Sequence, residues 1–212
     1  MRGTMQLPRV YDWAMWPLEQ LLYNRRRQDV FGSLHGCVLE IGAGTGANLA
    51  AYNAAACITA LEIEPPAAQT AQARVPHGHV RVVVGDGQQL PFADRSFDYV
   101  TTALVFCSLP DPLAALHEIR RVLRPGGCLV QLEHTATNHP TVDWVLHAAA
   151  PTWKWFTGGC HINRDTAALL QQHGWHLQRH ERHAGGLVRV IEALPPRHTA
   201  QQTAKTRSEY MA

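Results

Sequence analysis

Residues 38–46 read Val-Leu-Glu-Ile-Gly-Ala-Gly-Thr-Gly, and they set the chemistry open to this chain. The apolar run from Val38 to Ile41 suits a buried parallel strand. Gly42, Gly44 and Gly46 let the chain turn sharply and bring bare backbone against a ligand. Amides opening the next element can meet a carboxylate or phosphate. Two further strands end in acids: Ile58-Thr59-Ala60-Leu61-Glu62 and Val82-Val83-Val84-Gly85-Asp86. A carboxylate at the end of the second strand can accept hydrogen bonds from both hydroxyls of a ribose. The glycine spacing is G-x-G-x-G with Glu40 two residues ahead, which departs from the G-x-G-x-x-G of dinucleotide turns.

Glu40, Glu62 and Asp86 can serve one ligand only if their strands lie side by side and point the same way. The chain supplies that alternation. Strands are predicted at 37–41, 58–62, 80–84, 97–102 and 128–133, with helices near 46–54, 65–74 and 111–123. A loop at 86–95 carries Leu90-Pro91-Phe92, and Pro125-Gly126-Gly127 stops the third helix. This pattern predicts an α/β fold with a doubly wound, mostly parallel sheet, whose ligands bind at the carboxyl ends of the strands. Asp165 or Thr166 caps a later helix that Gly174 ends, and last strands are predicted at 175–181 and 187–193. Residues 136–160, with Trp144, Trp153, Trp155 and Phe156, read as an insertion. Residues 8–30 place Trp13, Trp16, Leu18, Leu21 and Leu22 at helical spacing before three arginines. That segment is either an amphipathic cover for the sheet edge or a helix in weak contact with a membrane surface. The expected organisation is an N-terminal helical cap at 1–35, the α/β domain at 36–194 and a flexible tail at 195–212.

Composition narrows the classes. The chain of 212 residues is 46% hydrophobic and 17% charged, with a net charge of +2, which fits a globular domain without a field for nucleic acid. No apolar run is long enough to span a bilayer, and no signal-peptide pattern opens the sequence. Cys37, Cys57, Cys107, Cys128 and Cys160 are odd in number and form no C-x-x-C pair. Reduced thiols in a cytoplasmic protein are therefore expected, with neither a disulfide framework nor a metal site.

The glycine turn and its acids resemble the first motifs of class I S-adenosylmethionine-dependent methyltransferases, and the resemblance runs along most of residues 36–193. Leu90-Pro91-Phe92, Ser96-Phe97-Asp98 and Arg121-Val122-Leu123-Arg124-Pro125-Gly126-Gly127 are similar to the branch holding ubiquinone and menaquinone C-methyltransferases. Leu104-Val105-Phe106-Cys107-Ser108-Leu109, Leu132-Glu133-His134, Pro151-Thr152-Trp153-Lys154 and Gly159-Cys160-His161-Ile162-Asn163-Arg164-Asp165-Thr166 resemble the animal methyltransferase-like protein 7 group, which are membrane-anchored thiol S-methyltransferases. The long apolar anchor of that group is not expected in this sequence, which leaves a fixed membrane location without support.

The resemblance implies a Rossmann-like seven-stranded sheet, S-adenosyl-L-methionine as cofactor and a small-molecule methyl acceptor. It implies that Gly42, Gly44 and Gly46 shape the turn, with Glu40 ordering it on the methionine ammonium side and Thr45 and Asn48 as polar neighbours. Glu62 takes the ribose, Ile63 lies against the adenine, Asp86 and Gly87 meet the adenine edge, and Leu104 lies beneath the sulfonium. Asp98, at the start of its strand, is read as structural. Transfer from a sulfonium needs in-line approach, dryness and a reactive nucleophile rather than a dedicated base. Acceptor-side candidates are His134, His161 and Arg164, with Asn163, Cys107 and Tyr11 also in view, and Trp13, Trp153 and Trp155 as pocket walls. The acceptor is a thiol or sulfide sulfur, or else the carbon or oxygen of a quinone or phenol. A dinucleotide oxidoreductase, which the glycine spacing disfavours, and a non-catalytic cofactor-binding domain are the other classes.

Overall fold

The computed structural model describes residues 23–75, 79–134, 141, 143–144, 147–148, 150, 152, 160–161 and 163–196. Tyr11, Trp13, Trp153, Trp155, the segment before residue 23 and the tail beyond 196 lie outside them, as does most of the expected insertion. The described elements are α1 (Asn24–Phe31), β1 (Gly36–Ile41), β2 (Ala56–Glu62), α2 (Pro65–Arg74), β3 (Val80–Val84), β4 (Phe97–Ala103), α3 (Pro112–Val122), β5 (Leu123–His134), α4 (Thr166–Gln172), β6 (His176–His183) and β7 (Val188–Leu194). Among them no helix is long and apolar enough to cross a membrane.

The seven strands form one sheet in the order β3-β2-β1-β4-β5-β7-β6. Strands β1 to β5 pair in parallel, while β7 runs antiparallel to both β5 and β6. Strand order reverses between β1 and β4, and the carboxyl ends at such a switch point are where open α/β sheets take their ligands. Side chains alternate between two buried layers because successive residues of a strand face opposite ways. In β1, Leu39 and Ile41 enter one layer with Leu61, Phe106, Leu129 and Ile191. Val38 enters the other with Phe31, Ile58, Val130 and Val190. Glu40 shares the face of Val38 and is the acid buried in that second layer.

Two expectations fail locally. The helix near 46–54 is only a single 3₁₀ turn at Leu49–Ala51. Gly44 and Gly46 hold φ of +56° and +86°, outside the helical region. The amides that follow bond three residues back, as Leu49 does to the Gly46 carbonyl and Ala51 to that of Asn48. The Pro125-Gly126-Gly127 run does not stop α3, which ends before it at Val122. It forms an irregularity inside β5 instead, where the register steps from Phe97–Leu123 to Tyr99–Cys128.

The loop between β3 and β4 is fastened by α3. Arg121 donates to the carbonyls of Leu90 at 3.0 Å and Phe92 at 2.7 Å, and it pairs with Glu118 and Asp94. Glu118 in turn accepts the Leu90 amide at 2.8 Å. At the opposite, amino edge of the sheet, Asp98 accepts the Cys37 amide and an Arg124 guanidinium nitrogen, both at 2.8 Å. Arg124 and that amide hold the Asp98 carboxyl below its ordinary range. Replacing Asp98 by alanine removes the acceptor that ties β1 to β4 and β5. We expect a loss of about 1–2 kcal/mol in urea unfolding, the scale for a stranded amide, with S-adenosylmethionine affinity unchanged because the carboxyl edge is untouched.

Candidate active site

The glycine turn leaves β1 with the Gly42 and Ala43 amides both bonded to the Leu61 carbonyl, at 2.8 and 3.0 Å. Gly42 has φ of +71°, and a side chain there would meet Val105 at 2.5 Å, so only glycine fits. Gly44 has open space above it and gives its amide to Glu62 Oε2 at 2.7 Å. The other Glu62 oxygen takes the Glu64 amide at 2.9 Å. The Glu62 carboxylate is thus fixed at the mouth of the crevice, with Ile63 beside it 45% exposed. Asp86 just past β3 accepts the Gln88 amide at 2.8 Å, and Gly87 is buried against Ile41. Leu104, where the chain leaves β4, has φ of +58°. Such a conformation in a branched, non-glycine residue stores strain of order 1–3 kcal/mol and concentrates at functional sites.

Beneath the turn lies a buried polar chain. Arg27 of α1 donates to Asn48 Oδ1 at 2.6 Å, and Asn48 donates to Glu40 Oε1 at 2.6 Å. The Tyr52 phenol beside Glu40 shares a 2.7 Å bond with Thr101. Glu40 Oε2 makes no hydrogen bond of normal geometry. Burial pushes the Glu40 carboxyl up to about 7, against the downward pull of Asn48, Tyr52 and Arg27. Asn48 therefore holds Glu40 rather than facing the crevice. The Thr45 hydroxyl and carbonyl are taken by Arg74 at 2.9 and 3.1 Å.

The arrangement fits an elongated cation-bearing nucleoside. The Glu62 carboxylate, the side-chain-free turn at Gly44 and the exposed Ile63 lie along one edge, with the buried Glu40 carboxyl beneath them.

A second group gathers past β4 and β5. Glu133 is fully buried, and its Oε1 accepts from Thr102 at 3.1 Å and from the Val105 and Phe106 amides at 3.2 Å each. Desolvation raises its carboxyl above the ordinary range, against those bonds. Next to it, His134 Nε2 lies 3.2 Å from Cys160 Sγ. His161 binds the Cys107 carbonyl twice, through its amide at 2.7 Å and through Nδ1 at 3.1 Å. Arg164 grips the carbonyls of Phe106 and, at 2.9 Å, Leu109. The three catalytic candidates His134, His161 and Arg164 thus surround one loop, 104–109. Arg164 is spent on that loop's backbone.

A family model described as "Methyltransferase domain" matches residues 39–131, which carry the glycine turn, Glu62, Asp86 and β4. Human thiol S-methyltransferase TMT1A is 31% identical over 169 residues, 77% of this chain and 69% of that protein. The chain belongs to the class I S-adenosylmethionine-dependent methyltransferases. Human thiol S-methyltransferase TMT1B is 34% identical over 157 residues, 66% of this chain and 64% of its own length. The chain thus spans less than two thirds of that relative. A Staphylococcus aureus demethylmenaquinone methyltransferase is 50% identical over 64 residues, which is 30% of this chain and 25% of that one. Among solved structures, a Haloferax volcanii methyltransferase in complex with the Trm112 methyltransferase activator superposes with a TM-score of 0.75 at 18% identity, over 93% of this chain and 100% of that one. That likeness is one of fold.

In this methyltransferase the sequence reading overlooked Glu133 as a site residue. The signal was available, because Glu133 is a fourth strand-end acid after Glu40, Glu62 and Asp86. Buried Arg189 was also missed. It pairs with Asp165, the cap of α4, at 3.1 Å, and nothing in its local pattern marks it.

The Glu40 shift has a stability consequence. Its folded pKa lies above the unfolded value of 4.5, so the folded state holds a proton that the unfolded state gives up. Stability is then lost as pH rises from 4.5 through about 7. A shift of this size amounts to about 3 kcal/mol at pH 8. Glu40→Gln in the ligand-free methyltransferase should abolish that loss. Urea titrations at pH 5 and pH 8 check it, with the variant gaining on the parent only at the higher pH.

Proposed function

We propose that this methyltransferase transfers the methyl group of S-adenosylmethionine to the sulfur of a small apolar thiol or sulfide. One observation carries the reading. The 169 residues aligned with the thiol S-methyltransferase TMT1A exceed by far the 93 residues of the domain match, counted from 39 to 131. The likeness therefore reaches beyond the cofactor half, into the part of the chain that bears acceptor-side residues. When bound, S-adenosylmethionine supplies a methyl group already activated on a sulfonium.

The residues of this chain take the following roles in the proposal. Glu62 accepts the ribose hydroxyls while the Gly44 amide holds its carboxylate in place. Ile63, Asp86 and Gly87 border the adenine. Glu40, ionised, faces the methionine ammonium across the turn made by Gly42 to Gly46, with Thr45 and Asn48 bracing that turn. Leu104 forms the floor at the reacting end, and Glu133 keeps it there by holding the next two amides. His134 and His161 line the acceptor side, where a cationic group would favour a thiolate. Arg164 fixes the 104–109 loop against them.

The demethylmenaquinone methyltransferase match favours a second reading, a quinone or phenol acceptor. It covers 64 residues and carries less of the chain.

Glu62→Ala should weaken S-adenosylmethionine binding by about 1.5–3 kcal/mol, the range for hydrogen bonds to a charged group. Isothermal calorimetry reads that change, and an unaltered affinity would remove Glu62 from the site. Arg164→Ala and His161→Ala should instead lower turnover and leave cofactor affinity nearly unchanged. A panel of alkanethiols, hydrogen sulfide, phenols and quinones with methyl-labelled cofactor tests the acceptor. Label found only on phenols or quinones replaces the sulfur reading with the second one.

A further inference from the structure

Two soft sulfur ligands and one imidazole nitrogen meet on the acceptor side without any sequence pattern announcing them. Cys107 lies in the loop after β4, His134 ends β5, and Cys160 precedes α4. Their ligand atoms all lie within 4.8 Å of one another. Cys160 Sγ is 3.2 Å from His134 Nε2, and both cysteines are buried. A tetrahedral zinc ion with bonds of about 2.3 Å to sulfur and about 2.0 Å to nitrogen sets its ligand atoms roughly 3.5–3.8 Å apart. The cluster's separations, 3.2 Å for one pair and at most 4.8 Å for the others, bracket that spacing. Its surroundings also suit a cation, because Glu133 is adjacent, fully buried, and has an Oε2 with no hydrogen-bond partner. The backbone of the Cys107 loop is fixed from outside by His161 and Arg164. The expectation of no metal rested on the missing C-x-x-C pair, which is blind to ligands drawn from three separate elements.

We propose that Cys107, His134 and Cys160 bind one zinc-class divalent ion, leaving a fourth position open toward the methyl acceptor. Three protein ligands with one open position is the pattern of catalytic rather than structural zinc. On binding, the two thiols release their protons to solvent, so the two thiolates balance the ion's charge and His134 binds neutral. The occupant of the fourth position rests on the thiol reading above. An acceptor thiol gives its proton to solvent there and binds as thiolate. Its sulfur then forms the new bond to the methyl carbon while the carbon–sulfonium bond breaks and leaves its electron pair on the departing sulfur. The thioether product is uncharged and a poor ligand, so it leaves.

The test uses the full chain, purified under reducing conditions and supplied with zinc or cobalt(II). Elemental analysis should find stoichiometric zinc, and cobalt should give thiolate charge-transfer and tetrahedral d–d absorption. Zinc should also protect Cys107 and Cys160 from alkylation until a chelator is added. Cys160→Ser and Cys107→Ser should lose the metal and the cobalt spectrum while still binding S-adenosylmethionine, which shows that they fold. Parent protein that binds S-adenosylmethionine but takes up no stoichiometric metal overturns the site, as do variants that keep it. Ethanethiol should shift the cobalt d–d bands and phenol should not. A metal-free parent that methylates thiols at the full rate overturns the role of the ion while the thiol reading stands. Transfer to phenols only, in a protein that does bind zinc, overturns the thiol reading and leaves the metal site standing.

Discussion

Carboxylates accepting backbone amides hold the working edge of this enzyme in shape. Parallel strands end with amides that have no further strand to bond, and a loop there must find acceptors or leave donors stranded. Glu62 takes the Gly44 amide, Glu133 takes those of Val105 and Phe106, Glu118 takes that of Leu90, and Asp86 takes that of Gln88. Each acid reaches from one element into a loop of another or folds its own loop back. These bonds tie each loop to the sheet, while Leu90 and Phe106 seat two of the loops in the core. Ionised acceptors make stronger bonds than neutral ones, so few are needed.

Two acids are buried outright. Glu133 lies inside to reach the amides that follow β4, Glu40 is held by Asn48 and through it by Arg27, and burial pushes both carboxyls upward. A protein selected for stability alone would fill those positions with apolar side chains. Retaining them makes sense where a cationic group approaches from the crevice. Leu104 adds to this pattern. Its positive φ persists because the Leu132 carbonyl takes its amide at 2.9 Å while Glu133 anchors the two residues that follow.

How much of this could be read from sequence depended on whether the signal was local. Strands β1 to β4 were legible because short apolar runs ended in acids or began after turns. The cap of α4 was legible because Asp165 stands directly before it, and it accepts the Ala168 amide at 3.1 Å. The 46–54 helix was misread because small apolar residues suit a helix, whereas two left-handed glycines ahead of them allow only one 3₁₀ turn. The motifs Leu90-Pro91-Phe92 and Arg121 carried a family resemblance, and what they do here is bind each other as scaffold. Asn48 was read as a cofactor neighbour, and its real partners, Arg27 and Glu40, lie 21 and 8 residues away. The meeting of Cys107, His134 and Cys160 was invisible, since it depends on how three connections pack and on no spacing within any of them.

The last described strand in the chain sits inside the sheet rather than at its border. β7 fills the place between β5 and β6, so β5 borders no partner on that side until residues Val188–Leu194 have been made. During synthesis the glycine turn and its acids can assemble early from neighbouring βα units. His134 and Glu133, on the unpaired side of the nascent sheet, must wait. For that interval β5 presents an open row of amides and carbonyls, a template for another chain to join. The nascent protein thus passes through a stage in which the glycine turn and its acids can be in place while the His134 side of the sheet is still open.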